Sequence, residues 1–481
     1  MLRVTRFLGL DVGTQGVKAL VWDAESGRVL ARAETPLDLL PVGRPGAAEQ
    51  RPEDWIVAIE KTLADLAARG SLKGVRGIGV SGQQHGCVVL DEHDRPIRPA
   101  KLWCDTECAA EAAQVSAETG RAIPAGFTAP KLPWLRAHEP QHFARIRTVL
   151  LPHDFVNLWL TGRKATDHGD ASGTGYYDPF ARAWDVPRGA AWLDPAWLPP
   201  LLNPDEACGS VRAELAQRLG LPRDCTVAPG SGDNMMSALG AGAVRDGVLV
   251  ASLGTSGTLF GRAARPPRDP ERLVAPFCDA TGAWLPLWCT MNCTTPAEEV
   301  RKAFGLDHAR LTALAQAEPA GCGGLHFLPY LAGERAPDWP HARGVLHGLE
   351  AGALRPGLLY RAALEGAAFG LRLGLDRFGA TASVRAEEVR VVGGGARNPL
   401  WRRILADLFA APLAFPTEAE TAALGGALQA AAIHSGARVA DFAAAHPPDL
   451  EPERVEPRAD AALFEAYARH RALGERLFAS G

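Results

Sequence analysis

Two α/β domains related by duplication are predicted for this chain, on three observations. A strand–turn–strand unit occurs twice, about half a chain apart. Apolar strand and helix patterns alternate in each half. The 481 residues suffice for two or three independent cores.

The first copy of the repeat is Leu8-Gly-Leu-Asp-Val-Gly-Thr-Gln-Gly16, running on into Val17-Lys-Ala-Leu-Val-Trp22. The second is Leu249-Val-Ala-Ser-Leu-Gly-Thr-Ser-Gly257, running on into Thr258-Leu-Phe260. Apolar runs on both sides of a Gly-rich turn predict a β-hairpin, and recurrence at half length predicts a duplicated domain. In the first half, residues 55–68 carry apolar positions at helical spacing, and 75–80 read as a buried strand. In the second half, residues 358–378 predict a long helix, 389–392 a strand and 400–409 a helix after a Gly-rich turn. Residues 179–222 are rich in Pro and Trp and read as irregular loops. Residues 461–478 set Phe464, Tyr467, Leu473 and Leu477 near one helical face, which predicts a terminal docking helix. The domains are placed at 1–243 and 248–481.

Composition narrows the function. Hydrophobic residues make up 47% and charged residues 22%, as in soluble globular proteins. With a net charge of −4 and no dense Lys/Arg cluster, nucleic acid is excluded as a main partner. The nine cysteines are odd in number and form no Cys-x-x-Cys pair, which argues against disulfides and zinc and for the cytoplasm. No stretch approaches 18 uncharged apolar residues, so no membrane span is expected. The first residues read as a strand and not as a signal peptide.

The chain has no Walker A loop, and residues 393–398 lack the last glycine of a dinucleotide fingerprint. What remains is the pair of hairpins. Gly13, Thr14 and Gln15 in one, and Gly254 and Thr255 in the other, offer N–H groups and a hydroxyl with no Cβ to block a phosphate. One such turn alone is no more than a turn; two, one per domain, suggest a clamp on a triphosphate. Asp11 stands where the first strand meets its turn. A carboxylate there repels phosphate unless a cation such as Mg²⁺ intervenes, or else it only caps the turn. Lys18 follows on the next strand.

Asp233 lies in Pro229-Gly-Ser-Gly-Asp-Asn234, just before a helical run over 235–243. It reads equally as an N-cap and as a general base. A helix N-terminus would lower its pKa, and phosphoryl transfer, with its loose transition state, tolerates a weak base. Ser81-Gly-Gln-Gln-His-Gly86 follows a buried strand, where α/β folds bind ligands; Gln83, Gln84 and His85 suit several hydroxyls. Trp103 and Asp105 pair an apolar face with a carboxylate.

In this order the segments resemble the FGGY family of carbohydrate kinases over nearly the whole chain. Asp11-Val-Gly-Thr-Gln-Gly16 and Ser252-Leu-Gly-Thr-Ser-Gly257 resemble the family's two phosphate hairpins, although Gln15 stands where Ser is more usual. Gly82-Gln-Gln-His-Gly86 resembles the sugar loop of members that act on xylulose; glycerol-specific members carry an Arg-Glu pair there. Trp103-Cys-Asp105 (with Cys104 where Asn is common), Phe127-Thr-Ala-Pro-Lys-Leu132 and Asp170-Ala-Ser-Gly-Thr174 also fit. Gly230-Ser-Gly-Asp-Asn234 resembles the segment that carries the catalytic Asp, here Asp233. Gly333-Glu-Arg-Ala-Pro337 and Gly393-Gly-Gly-Ala-Arg-Asn398 resemble the C-terminal signature and the adenosine loop.

The resemblance implies two ribonuclease H-like domains of the actin and hexokinase type around a central cleft. It implies ATP and Mg²⁺ as cofactors and D-xylulose as acceptor. Asp233 would be the base, and Gln84, His85, Trp103, Asp105, Asp233 and Asn234 would contact the sugar. Gly13, Thr14, Gln15, Lys18, Gly254, Thr255, Gly394, Gly395 and Asn398 would contact the nucleotide, and Asp11 the metal. Partners would be the sugar and ATP, with a homodimer left open. Other readings are a kinase for ribulose or another ketose or polyol, and an actin-like ATPase, which would share the hairpins but lack the sugar loop. A repressor on this fold would need an N-terminal helix-turn-helix, for which the early first strand leaves no room.

Overall fold

The computed structural model describes residues 5–479. It divides into two compact units. One holds the chain up to Val244 together with Phe277–Trp284 and Glu420–Pro448; the other holds the rest.

In the first unit, β1 (Arg6–Val12), β2 (Gly16–Asp23) and β3 (Arg28–Pro36) form an antiparallel meander, and β4 (Val75–Gly82) runs parallel to β1. Short strands β5 (Thr226–Val227) and β6 (Ser231–Gly232) both pair in parallel with β4. Helix α1 (Pro52–Ala68) starts with Pro52 at a first-turn position beside Glu53 and Asp54, a favourable N-terminal arrangement. It buries Trp55, Ile59, Leu63 and Leu66, the face that the apolar spacing predicts. Two further helices follow strand ends, α2 (Pro152–Thr161) and α3 (Asp233–Gly240).

The second unit repeats the topology. Strands β7 (Val248–Leu253) and β8 (Gly257–Gly261) form the second hairpin, β9 (Trp284–Thr290) extends it antiparallel, and β10 (Glu388–Val392) and β11 (Leu413–Ala414) continue it in parallel from β7. The order β9-β8-β7-β10-β11 matches β3-β2-β1-β4-β5 in order and direction, as the duplication predicts. The turns differ. Val12 pairs with Val17, but Leu253 pairs with Gly257, so the second turn is one residue tighter. Helices α4 (Pro356–Ala382) and α5 (Pro399–Phe409) pack into this unit's core.

Helix α6 (Thr421–Ser435) departs from the expected boundary of 248–481, because it belongs to the first unit. Its sequence is Ala- and Gly-rich, and the reason is contact distance. A Cβ on Gly9 of β1 would lie 1.7 Å from the Ala423 carbonyl oxygen, and one on Gly79 of β4 would lie 2.0 Å from that of Gly426. The small residues let helix and sheet backbones meet.

The terminal helix α7 (Ala461–Phe478) docks on the second unit through Leu463, Ala466, Tyr467, His470 and Leu473. The docking face is rotated from the expected one: Leu477 is exposed and Phe464 only partly covered. Residues 179–222 are mainly irregular but include a helix over Ala213–Leu219. Among the described residues no helix is long and apolar enough to cross a membrane.

Candidate active site

In the first unit, three parallel strands end side by side. Asp11 on β1 is in register with Ser81 on β4, and Ser81 with Ser231 on β6. Two residues after Ser231, Asp233 opens α3. Its position corrects the capping reading: the N-cap of α3 is Gly232, and Asp233 is the first helical residue. Its acidity is also opposite to expectation. Burial, then the charges of Asp11 and Asp170, push its carboxyl up to about 8, overriding the helix N-terminus. Asp11 is pushed up to about 6, first by burial, although the Ser81 hydroxyl donates to its Oδ1 at 2.7 Å and Lys18 is nearby. Lys18 pairs with Glu420 at 2.7 Å.

Around these acids the predicted sugar contacts assemble. Asn234 Nδ2 donates to Asp233 Oδ1 at 2.9 Å and to Gln84 Oε1 at 2.5 Å. His85 sits in the left-handed region at φ 61°, a strained conformation for a non-glycine residue. The surrounding fold fixes it there. Lys131, fully buried, donates to the carbonyls of His85, Gly126 and Phe127 at 3.0, 2.7 and 3.0 Å. Gly173 lies so close to the imidazole that a Cβ there would overlap it. Phe127 and Phe277 flank the ring at centroid distances of 4.9 and 5.4 Å.

Two expected roles change. The Thr14 hydroxyl donates to Gln83 Oε1 at 2.8 Å and accepts from Trp103 Nε1 at 3.0 Å. Gln83 in turn donates to Gln50, whose own amide donates to the Thr14 carbonyl. This hydroxyl therefore ties the hairpin to the sugar loop. Asp105 is fully buried, and its oxygens accept from Ala48 N–H at 2.9 Å, Lys101 Nζ at 3.1 Å and Glu107 N–H at 3.2 Å. It has no surface to offer a sugar, and it organises the loop after Trp103. Glu49, Asp105 and Glu107 come close enough together to hold a metal, but Lys101 already supplies the cation there.

In the first hairpin Gly13 N–H donates to the Gly16 carbonyl at 3.0 Å, and a Cβ on Gly13 would meet no protein atom closer than 3.5 Å. Gln15 is exposed at the tip.

In the second unit the hairpin turn and the glycine loop are neighbours. Gly254 N–H donates to the Ser256 carbonyl at 3.1 Å, and Thr255 is exposed. Gly393 and Gly395 pack on Leu253 at the end of β7, where a Cβ would clash, whereas one on Gly394 would have nothing within 4 Å. Gly394 therefore offers the open backbone of this loop, and Gly395 is needed for packing. Asn398 is the N-cap of α5, accepting from Leu400 and Trp401 N–H and donating to Thr312 and Tyr360. Its side chain holds the start of that helix.

Sequence models of the FGGY family of carbohydrate kinases match the chain in both halves, the N-terminal domain over residues 6–240 and the C-terminal domain over 249–433. The chain belongs to the FGGY family of carbohydrate kinases. It is 39% identical to the xylulose kinase of Haemophilus influenzae, covering 88% of this chain and 90% of that protein. It is 37% identical to the xylulose kinase of Escherichia coli, covering 89% and 90%. A solved "xyloylose kinase" from Brucella ovis superposes with a TM-score of 0.92 at 37% identity, covering 98% of this chain and 99% of that one. As an FGGY kinase the chain has the actin- and hexokinase-like α/β fold in both units.

Residues that sequence reasoning passed over complete the site. Ser81 and Glu420 hold Asp11 and Lys18, Gln50 joins Thr14 to Gln83, and His153 and Asp170 lie behind His85. Asp170 stands in a segment already noted, and His153 follows a strand end as the sugar loop does. Glu420 had no signal, because it is remote in sequence from the first unit.

Proposed function

We propose that this FGGY kinase transfers the γ-phosphoryl group of ATP to D-xylulose, giving D-xylulose 5-phosphate and ADP, in the cytoplasm. The observation that carries this reading is the likeness to xylulose kinases over 88–89% of the chain, in a chain whose Asn234 joins Gln84 of the sugar loop to Asp233.

In this reading Gln84, Asn234 and His85 orient the sugar hydroxyls toward Asp233. Asp233 accepts the proton of the attacking hydroxyl as that oxygen bonds to the γ-phosphorus. The bond from the γ-phosphorus to the β–γ bridging oxygen breaks, and ADP leaves with that electron pair. With its carboxyl raised to about 8, Asp233 is a stronger base than an ordinary aspartate only in its ionised form. Phosphate and nucleotide approach the backbone at Gly13, Gly254 and Gly394, where a Cβ would meet no protein atom closer than 3.4 Å, while the Gly13 and Gly254 N–H groups stay bonded within their own turns.

Asp11 fits a magnesium site. It is a hard oxygen donor at the start of the first turn, and burial, the main cause of its raised pKa, leaves its ionised form in need of a cation. Bound there, Mg²⁺ would offset the charge of the phosphates.

The test is ATP turnover across a panel of ketopentoses, pentitols and glycerol. Xylulose should give the highest kcat/KM and glycerol a poor one. Equal values for glycerol and xylulose would overturn the assignment.

A further inference from the structure

Behind the sugar loop, in the first unit, lies a buried charge cluster that the reaction described above does not use. His153, on the first turn of α2, is completely buried. Its Nδ1 lies 3.1 Å from Asp170 Oδ2; its Nε2 lies 2.9 Å from Asp154 Oδ1 and 3.4 Å from Asp167 Oδ1. Three carboxylates thus surround one imidazole. Each of the two outer aspartates holds part of the site. Asp170 puts its other oxygen, Oδ1, 3.3 Å from His85 Nδ1 and 3.4 Å from the His85 backbone nitrogen. Asp167 accepts the Ser231 hydroxyl at 2.7 Å, two residues before Asp233. The ring also touches the backbone it organises. A Cβ on Gly230 would come within 3.0 Å of the ring carbon, and one on Gly82 within 2.9 Å of the His153 nitrogen.

We propose that His153 is a positioning residue: its imidazole, ringed by Asp154, Asp167 and Asp170, joins the sugar loop to the segment that leads into Asp233. By anchoring Asp170 it fixes the carboxylate that stands against the His85 ring and backbone nitrogen. By anchoring Asp167 it fixes Ser231 and so the start of α3. Electrostatics agree with the geometry. Burial would discharge His153, but Asp154, Asp167 and Asp170 outweigh it and hold its pKa well above the usual value. Burial would likewise raise Asp170, yet hydrogen bonds from His153 and His85 bring it below the usual carboxylate range. A neutral side chain at 153 would leave three buried carboxylates without their cation, an uncompensated arrangement that forces the cluster to rearrange.

The inference rests on reading this site as a sugar pocket, and the experiment separates the two. His153→Gln should raise the sugar KM tenfold or more and lower kcat, with the ATP KM within about twofold of wild type. His153→Lys, which restores the charge, should return the sugar KM to within about threefold. A folded His153→Gln enzyme with wild-type sugar KM would overturn the proposal, as would a folded His153→Lys enzyme as impaired as His153→Gln. Imidazole ¹⁵N NMR of the wild-type protein at pH 7.5 gives a readout free of substrate choice and of variant folding. His153 should show both nitrogens protonated, and a neutral His153 would overturn the proposal. Absence of xylulose turnover by the wild type, with the imidazolium present, would instead overturn the substrate assignment and leave the positioning network standing.

Discussion

The two hairpins share a motif and differ in what surrounds it. In the first, Asp11 ends the strand, Lys18 faces it across the pair, and the Thr14 hydroxyl is bound to Gln83 and Trp103. In the second, Ser252 stands where Asp11 does, the turn is one residue tighter, and Thr255 is exposed. Duplication kept the backbone that suits a phosphate in both units. Only the first copy acquired the charged groups, and Asp233 lies in that unit as well. On the function proposed above, the first turn is the one tied to the sugar loop, through the bonded Thr14 hydroxyl.

The strongest test of that contrast is Asp233→Asn. It keeps the shape and the contact with Asn234, but it cannot take up a proton. We expect kcat to fall roughly 10²-fold or more, with the sugar KM and the melting temperature little changed. Turnover at the wild-type rate would leave the first unit without a base.

Next in size are the glycines. Gly13→Ala and Gly254→Ala add a Cβ that the fold itself accommodates at 3.5 and 3.4 Å. Each should raise the ATP KM about tenfold, a loss of about 1.4 kcal/mol, and leave the sugar KM alone. Calorimetry showing unchanged ATP affinity in both variants would refute the clamp.

A smaller and asymmetric effect is expected at the threonines. Thr14→Val breaks two hydrogen bonds that hold Gln83 and Trp103, so the sugar KM should rise several-fold, whereas Thr255→Val should change only the ATP KM. Equal effects on the sugar from both variants would mean that the hairpins are not specialised.

The smallest change separates packing from binding in the second unit. Asn398→Ala removes an N-cap and should cost about 1 kcal/mol of stability, seen as a lower melting temperature, with steady-state constants unchanged. A large rise in the ATP KM would restore Asn398 as a nucleotide contact.

Much of this architecture is written locally. The apolar runs around the two Gly-Thr turns, the helical spacing from Trp55 to Leu66 and the Asp233 segment were readable because each depends on residues near in sequence. Identical motifs did not predict the tighter second turn, because strand register is set by how β7 and β8 pair along their whole length. Asp105 looked like a sugar ligand until Lys101 and Ala48 were seen to occupy it. Asn398 looked like part of a ligand loop until it proved to cap α5.

By itself, then, the sequence determined the two α/β domains, the paired turns and the segment in which Asp233 stands. These rest on periodicity and on residue types whose backbone preferences act over a few positions. Tertiary structure alone decided that α6 belongs with the first unit, because the seam of Gly9, Gly79, Gly425 and Gly426 works only when distant segments touch. It also decided the basicity of Asp233. Burial and the fields of Asp11 and Asp170 raise that carboxyl, against the local pull of the helix it opens. Charges separated by many residues act on one another only once the chain has brought them together in a medium that screens them poorly.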